Sequence, residues 1–149
     1  MKEFEEILET SRKMKWYNAD FTVSDLADCE FENSGESSWS DKQASSFIES
    51  MFLGIPVPQL YLKNNNTGKR WIIDGVNRID AIQRFVKGDL ALAPEGISFL
   101  ECLKGTSYKS VPGWYARRFN DYMLRAVITE SSAPDYLCEM LRSKLNGGL

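Results

Sequence analysis

Apolar positions recur along this chain with two different periods. Phe4, Ile7, Leu8 and Ser11 follow helical spacing and predict a helix over residues 2–15 with an acidic outer face. Residues 22–31 hold to neither period, although Ser24 is placed to cap a short turn. The stretch NSGESS, residues 33–38, reads as loop by composition. Ser40 then opens the clearest helix, with Gln43 three residues on as its capping-box partner. Ala44, Phe47, Ile48, Met51 and Phe52 form one apolar stripe, and Gly54 and Pro56 end it.

Further along, the period shortens. QLYLK (59–63) and KRWIID (69–74) read as strands joined by the turn NNNTG, which predicts a hairpin. Ile79, Ile82, Phe85 and Val86 return to helical spacing over 77–87 and stop near Gly88. Residues 89–113 are rich in Gly and Pro and read as loop. Residues 114–120 predict a short helix, 123–129 a strand, and 133–144 a helix with Leu137, Met140, Leu141 and Leu145 on one face. Helices and strands are interspersed without strict alternation, so the pattern implies an α+β domain in which a small mixed sheet with a hairpin packs against helices 40–53 and 77–87.

The 149 residues suit one domain with one core, and 43% apolar residues with four tryptophans can fill it. No apolar run approaches the roughly 18 residues of a membrane span, and the charged, amphipathic start is unlike a secretory signal. No membrane association and a cytoplasmic location are therefore expected. Cys29, Cys102 and Cys138 are scattered, which suits reduced, partly buried thiols better than a disulfide framework or zinc. There is no histidine, so His-dependent nucleophile systems and zinc motifs are excluded within the chain, and no haem or zinc is expected. Carboxylates, amides, cations, backbone N–H groups or an oxygen-bound metal remain. The net charge of −3 is uneven: residues 1–50 carry five basic and twelve acidic residues, and the remainder thirteen basic and nine acidic. The basic surplus between Cys102 and Arg125 is either a solvated surface or a phosphate-attracting face. Trp114-Tyr115 beside Arg117-Arg118 reads as a half-buried amphipathic helix or as a base-stacking platform.

The chemistry concentrates at Asp74-Gly75-Val76-Asn77-Arg78, where the hairpin strand meets the next helix. A glycine lets the backbone turn there. The unpaired N–H groups of the helix start carry partial positive charge and receive anions. In one use, Arg78 clamps phosphate, Asn77 orients a ligand or water, and Asp74 accepts a proton or holds Mg²⁺. In the other, Asp74 caps the helix, Gly75 makes the turn and Arg78 pairs with a nearby acid. Asp41, Glu49 and Asp80 are further carboxylates; Glu49 and Asp74 in one pocket would make a metal site. Gly68-Lys69 lacks the spacing of a phosphate loop.

The order of these segments resembles the N-terminal domain of the DUF262 family. Trp39, Gln43, Ile48-Glu49-Ser50, Gly54-Ile55-Pro56-Val57-Pro58, Asp74-Gly75-Val76-Asn77-Arg78 and the final Lys144-Leu145-Asn146-Gly147-Gly148 carry that resemblance, over roughly residues 16–149. It implies a ParB/sulfiredoxin-like fold and nucleotide chemistry in bacterial or phage-defence systems. In several members, modification-dependent restriction proteins, the Asp-Gly-Gln-Gln-Arg site supports nucleoside triphosphate hydrolysis and a separate His-containing C-terminal domain cuts DNA. The implied site has Asp74, Asn77 and Arg78 as catalytic residues. Trp39, Gln43, Gly75, Arg78, Lys144 and Asn146 contact the nucleotide, and Asp74 holds Mg²⁺. This chain departs from the pattern. Val76 and Asn77 replace the glutamines, residues 30–38 contain no arginine, Lys144 stands for an arginine, and Arg142 falls where an aromatic is usual. A single domain over 1–149 without the nuclease is expected. It acts either as a weak Mg²⁺-dependent NTPase or as a non-catalytic module that binds DNA or a protein partner.

Overall fold

The computed structural model describes residues 2–32 and 35–146. Asn33 and Ser34 of the expected loop, and Gly147-Gly148 of the terminal motif, lie outside the described residues. Helix α1 spans Lys2–Lys13 and runs into strand β1, Trp16–Thr22. A short helix α2, Val23–Ala27, and a two-residue strand β2, Phe31–Glu32, follow. Then come α3 (Asp41–Leu53), β3 (Leu60–Asn64), β4 (Arg70–Asp74) and α4 (Val76–Lys87). Residues 89–112 hold three single 3-10 turns, after which α5 (Gly113–Asn120), β5 (Met123–Thr129) and α6 (Asp135–Asn146) complete the described chain.

The five strands form one mixed sheet in the order β1-β5-β3-β4-β2. β1 is antiparallel to β5, β5 parallel to β3, β3 antiparallel to β4, and β4 parallel to β2. Side chains alternate across a strand; at β3 and β4 both faces are covered, whereas on the face of β1 and β5 away from the larger core Asn18, Asp20, Met123 and Arg125 are exposed. Leu60, Leu62, Ile72, Leu124, Ala126 and Ile128 point into the larger core beneath α2 to α5. Trp71 and Ile73 point the other way, against Ala133 and Cys138, with Tyr61, Met14 and Leu141 half-buried beside them. β4, in the interior of the sheet, is therefore apolar at successive residues. On the larger side Phe52 of α3 stacks on Phe119 of α5 at 5.1 Å, and Phe85 of α4 meets Phe119 edge-on at 5.3 Å.

The expected α3 forms as the sequence implies. Ser40 Oγ accepts from Gln43 N, Gln43 Oε1 accepts from Ser40 N, and Gly54 closes the helix at φ 73°. The hairpin forms at 60–64 and 70–74. In the expected α+β domain, helices 41–53 and 76–87 do lie against the sheet.

Several expectations change. The cap in the ambiguous region is Thr22, not Ser24; Thr22 and Asp25 form a second capping box. The stripe on α1 does not reach the core: Phe4 and Leu8 are exposed and Ile7 is only half-buried. On α6 the buried face runs through Leu137, Cys138 and Leu141, while Met140 is exposed, so the helix is rotated from the expected stripe. Trp114, Arg117 and Arg118 of α5 all face solvent, and Phe119 alone on that helix is buried. Cys102 is exposed, while burial raises the thiol pKa of Cys29 and Cys138.

Candidate functional site at the β4–α4 junction

At Asp74 the chain leaves the sheet, and a bulge shapes the exit. Tyr61 opposes Asp74 and Leu62 opposes Ile72, so Ile73 is one residue too many for β3. Gly75 then turns at φ 119°, a conformation that favours glycine. A Cβ there would stand 2.5 Å from Leu60 Cδ2, a fully buried side chain. The turn points the N-terminus of α4 into a cleft of about 450 Å³ lined by Glu36, Ser38, Trp39, Asp74, Asn77 and Arg142, among others. No side chain caps that helix start.

Arg78 is the most constrained residue of the junction. Its Nη1 donates to the carbonyls of Pro58 and Gln59, and its Nη2 donates to Asp74 Oδ2 at 3.0 Å. It is 9% exposed. Burial lowers its pKa from the ordinary value, and the neighbouring Asp74 opposes that; an arginine stays charged regardless. The guanidinium thus ties the 58–59 backbone to α4 and reaches the cleft as a fixed positive charge. Asn77 is also engaged. Its Oδ1 accepts from Ser37 Oγ at 2.9 Å and from Ser38 N at 2.8 Å, which ties loop 35–39 to the α4 start. Asp74 Oδ1 has no hydrogen bond among the described residues, so half of that carboxylate is open.

The sequence reading missed Arg142. From α6 it donates Nε to Ile73 O at 2.9 Å and Nη2 to Ile72 O at 2.6 Å, and its guanidinium carbon lies 5.3 Å from the Trp71 ring centroid. It takes up carbonyls at the bulge and, with its Nη1 3.4 Å from Glu139, brings a paired second guanidinium to the cleft. Asn146 lies four residues on, on the same helical face, and lines the cleft too. That i, i+4 relation between Arg142 and the motif residue Asn146 was the available signal.

Of the residues expected at the site, Trp39, Asp74, Gly75, Asn77, Arg78 and Asn146 surround this one cleft. Gln43 and Lys144 stand outside it. Gln43 is occupied in the α3 capping box, and Lys144 lines an apolar groove between α1 and α6 with Trp16, Tyr61 and Met140. Glu49 does not share a pocket with Asp74. It is 3% exposed, and Oε1 accepts from Ser98 N while Oε2 accepts from Phe99 N and Leu100 N, at 2.8–3.0 Å. Burial pushes its pKa up, but the three N–H donors and Lys104 together outweigh that and hold it below its ordinary value. Glu49 anchors a loop and is not a metal ligand alongside Asp74.

Among the described residues no group of three or more Cys, Asp or Glu side chains converges as a metal site. The cleft holds the carboxylates of Asp74 and Glu36. Mg²⁺ is commonly held by one or two carboxylates together with substrate phosphates, so this donor set suits an ion that arrives with a nucleotide. A second, larger cleft of about 790 Å³ lies across loop 35–39 and shares Gly35, Glu36, Trp39, Ile72 and Val76 with the first. No helix among the described residues is long and apolar enough to cross a membrane.

No curated protein and no solved structure is matched by this chain. A family model does match: the one described as GmrSD restriction endonuclease, N-terminal domain, over residues 36–146, which includes every residue lining the smaller cleft except Gly35. That match covers most of the chain, and the chain belongs to this family, the DUF262 N-terminal domains.

Proposed function

We propose that the smaller cleft binds the phosphate chain of a nucleoside triphosphate within a restriction-related defence protein. The observation that carries this reading is the start of α4. A 12-residue helix opens uncapped into a polar cleft, with Arg78 and Arg142 fixed beside it. The N–H groups of Val76, Asn77 and Arg78 would donate to phosphate oxygens, and the amide of Asn146 would add a contact. The two arginines act through charge that each shares with a carboxylate, Arg78 with Asp74 and Arg142 with Glu139, because their hydrogen bonds are spent on the protein. Asp74 Oδ1 and Glu36 would hold Mg²⁺, which neutralises phosphate charge when bound. Trp39 gives a nucleobase a ring face at the wall between the two clefts.

The engagement of Arg78 favours binding over turnover. A cation that stabilises a transferring phosphoryl group must reach it, and this one is tied to Pro58, Gln59 and Asp74. That observation supports a second reading, a sensor module that binds nucleotide, DNA or protein without hydrolysis.

Asn77→Asp separates folding from binding. The variant keeps an acceptor for Ser37 and Ser38, and a carboxylate suits a helix N-terminus. It also places a negative charge where the phosphate would sit. Isothermal titration of GTP, ATP, CTP and dNTPs with Mg²⁺ should show binding to wild type and its loss in Asn77→Asp at unchanged thermal midpoint. No binding to wild type would overturn the proposal. Phosphate release measured on the same samples decides between hydrolysis and sensing.

A further inference from the structure

The larger cleft, about 790 Å³, adjoins the smaller one across Trp39 and Val76, and the phosphate site makes no use of it. α4 lines both. Asn77 and Arg78 lie on the smaller cleft, Asp80 and Gln83 on the larger. Asp80 is a half-buried carboxylate with no hydrogen bond or ion pair among the described residues. Gln83 follows three residues on, on the same helical face. Its Nε2 donates to Leu26 O and Cys29 O, both at 3.0 Å, which leaves Oε1 as the free end of the amide. The described side chains bury no unbonded polar atom, so these oxygens stay open to solvent. The cations of this cleft are otherwise engaged: Lys69 meets Glu30 at 3.2 Å and Arg84 meets Asp41 at 3.0 Å. Lys87 is exposed, a further turn along α4. What the α4 wall offers a ligand, opposite the ring of Trp39, is therefore hydrogen-bond acceptors.

Building on the nucleotide reading above, we infer that the larger cleft takes the base of that nucleotide, that the base is guanine, and that Asp80 selects it. Among the common bases guanine alone sets two N–H donors side by side, N1–H and N2–H, and a carboxylate accepts such a pair through its two oxygens. Adenine and cytosine would turn a ring-nitrogen lone pair towards Asp80, and uracil a carbonyl oxygen. Those contacts set acceptor against acceptor and leave the carboxylate unsatisfied. Gln83 Oε1, one turn on, is a second acceptor for the amino group. The spacing along α4 fits a single ligand in both clefts. Asp80 lies four residues beyond Val76, about 6 Å along the helix axis. A phosphate held at the first N–H groups of α4 thus leaves the base of the same nucleotide beside Asp80, with Trp39 at the wall between.

Isothermal titration of the full chain with GTP, ITP, ATP, CTP and UTP in Mg²⁺, for wild type and Asp80→Asn, tests this. Wild type should bind GTP about 10- to 100-fold more tightly than ATP, CTP or UTP. Inosine triphosphate, which lacks the amino group, should fall between. Asp80→Asn replaces one acceptor with a donor. The variant should lose the preference for GTP and bind xanthosine triphosphate more tightly, because the C2 carbonyl of xanthine accepts from the new amide. Its thermal midpoint should stay close to that of wild type, since the carboxylate has no partner in the fold. Equal binding of all five triphosphates, or a preference for another base, would overturn the guanine assignment and leave the phosphate site standing. A preference for GTP that Asp80→Asn retains would overturn the role of Asp80. Wild type that binds no triphosphate would overturn both readings together.

Discussion

Replacing Glu49 with glutamine tests whether one buried carboxylate organises the loop over α3. Glu49 accepts three backbone N–H groups in succession, from Ser98, Phe99 and Leu100. With its carbonyl oxygen at the place of Oε2, glutamine keeps two of these bonds without their charge. Its amide nitrogen then faces the N–H of Ser98, so the third bond becomes a donor–donor contact. A hydrogen bond to a charged group contributes about 1.5–3 kcal/mol, and the two survivors weaken, so the expected loss is about 2–4 kcal/mol. For a domain of this size that is a fall in thermal midpoint of roughly 5–15 °C, read by circular dichroism. The pH dependence adds a second condition. The folded-state pKa of Glu49 lies below its ordinary 4.5. Its contribution is therefore complete above that value and is lost as pH falls through the lower, folded-state value. The gap between wild type and Glu49→Gln should be constant near neutrality and close in acid. Equal midpoints at neutral pH, or a gap that does not narrow in acid, would refute the reasoning. Stabilisation by Mg²⁺ in wild type that vanishes in Glu49→Gln would return Glu49 to the metal site.

Three further substitutions probe close packing and a buried charge, one of them at the cleft. Gly75→Ala adds a Cβ at φ 119° and 2.5 Å from Leu60 Cδ2, which should cost about 2–4 kcal/mol in chemical denaturation. Gly96→Ala drives a Cβ to 2.4 Å from the Lys42 carbonyl oxygen. Backbone cannot yield as a side-chain tip does, so a loss of about 1–3 kcal/mol is expected by the same assay. Asp135→Ala leaves Lys63, 5% exposed, without the carboxylate its Nζ now meets at 2.7 Å. Asp135 itself is exposed and water can partly replace it, so the expected loss is about 1–3 kcal/mol, and Lys63→Met in the same background should restore part of it.

The parts legible in the sequence are those whose determinants are contiguous. The α3 capping box, the hairpin and the turn at Gly75 each lie within a few residues, and Asp74, Gly75, Asn77 and Arg78 share a cleft because they share a junction. β1 went unread although the signal was present: Tyr17, Ala19 and Phe21 alternate with Asn18, Asp20 and Thr22, and Ala19 and Phe21 pack on the larger core. β2 is too short to carry a pattern. What the side chains of the junction do depends on partners far along the chain. Asn77 meets Ser37 and Ser38, Arg78 meets Pro58 and Gln59, and Arg142 meets the bulge carbonyls of Ile72 and Ile73. The rotation of α6 that brings Arg142 to the cleft and Lys144 away from it follows from how Cys138 and Leu141 dock on Trp71 and Ile73.

The placement of both edge strands before residue 36 has a consequence for synthesis on the ribosome. β1 leaves the exit tunnel long before β5, its ladder partner, and the contact from Thr129 Oγ1 to Lys15 O joins residues 114 apart. Nearly the whole domain must be translated before that edge closes. Until then the nascent chain carries WYNADFT unpaired, the same strand that is open on one side after folding. Pausing before Met123 would lengthen this exposure.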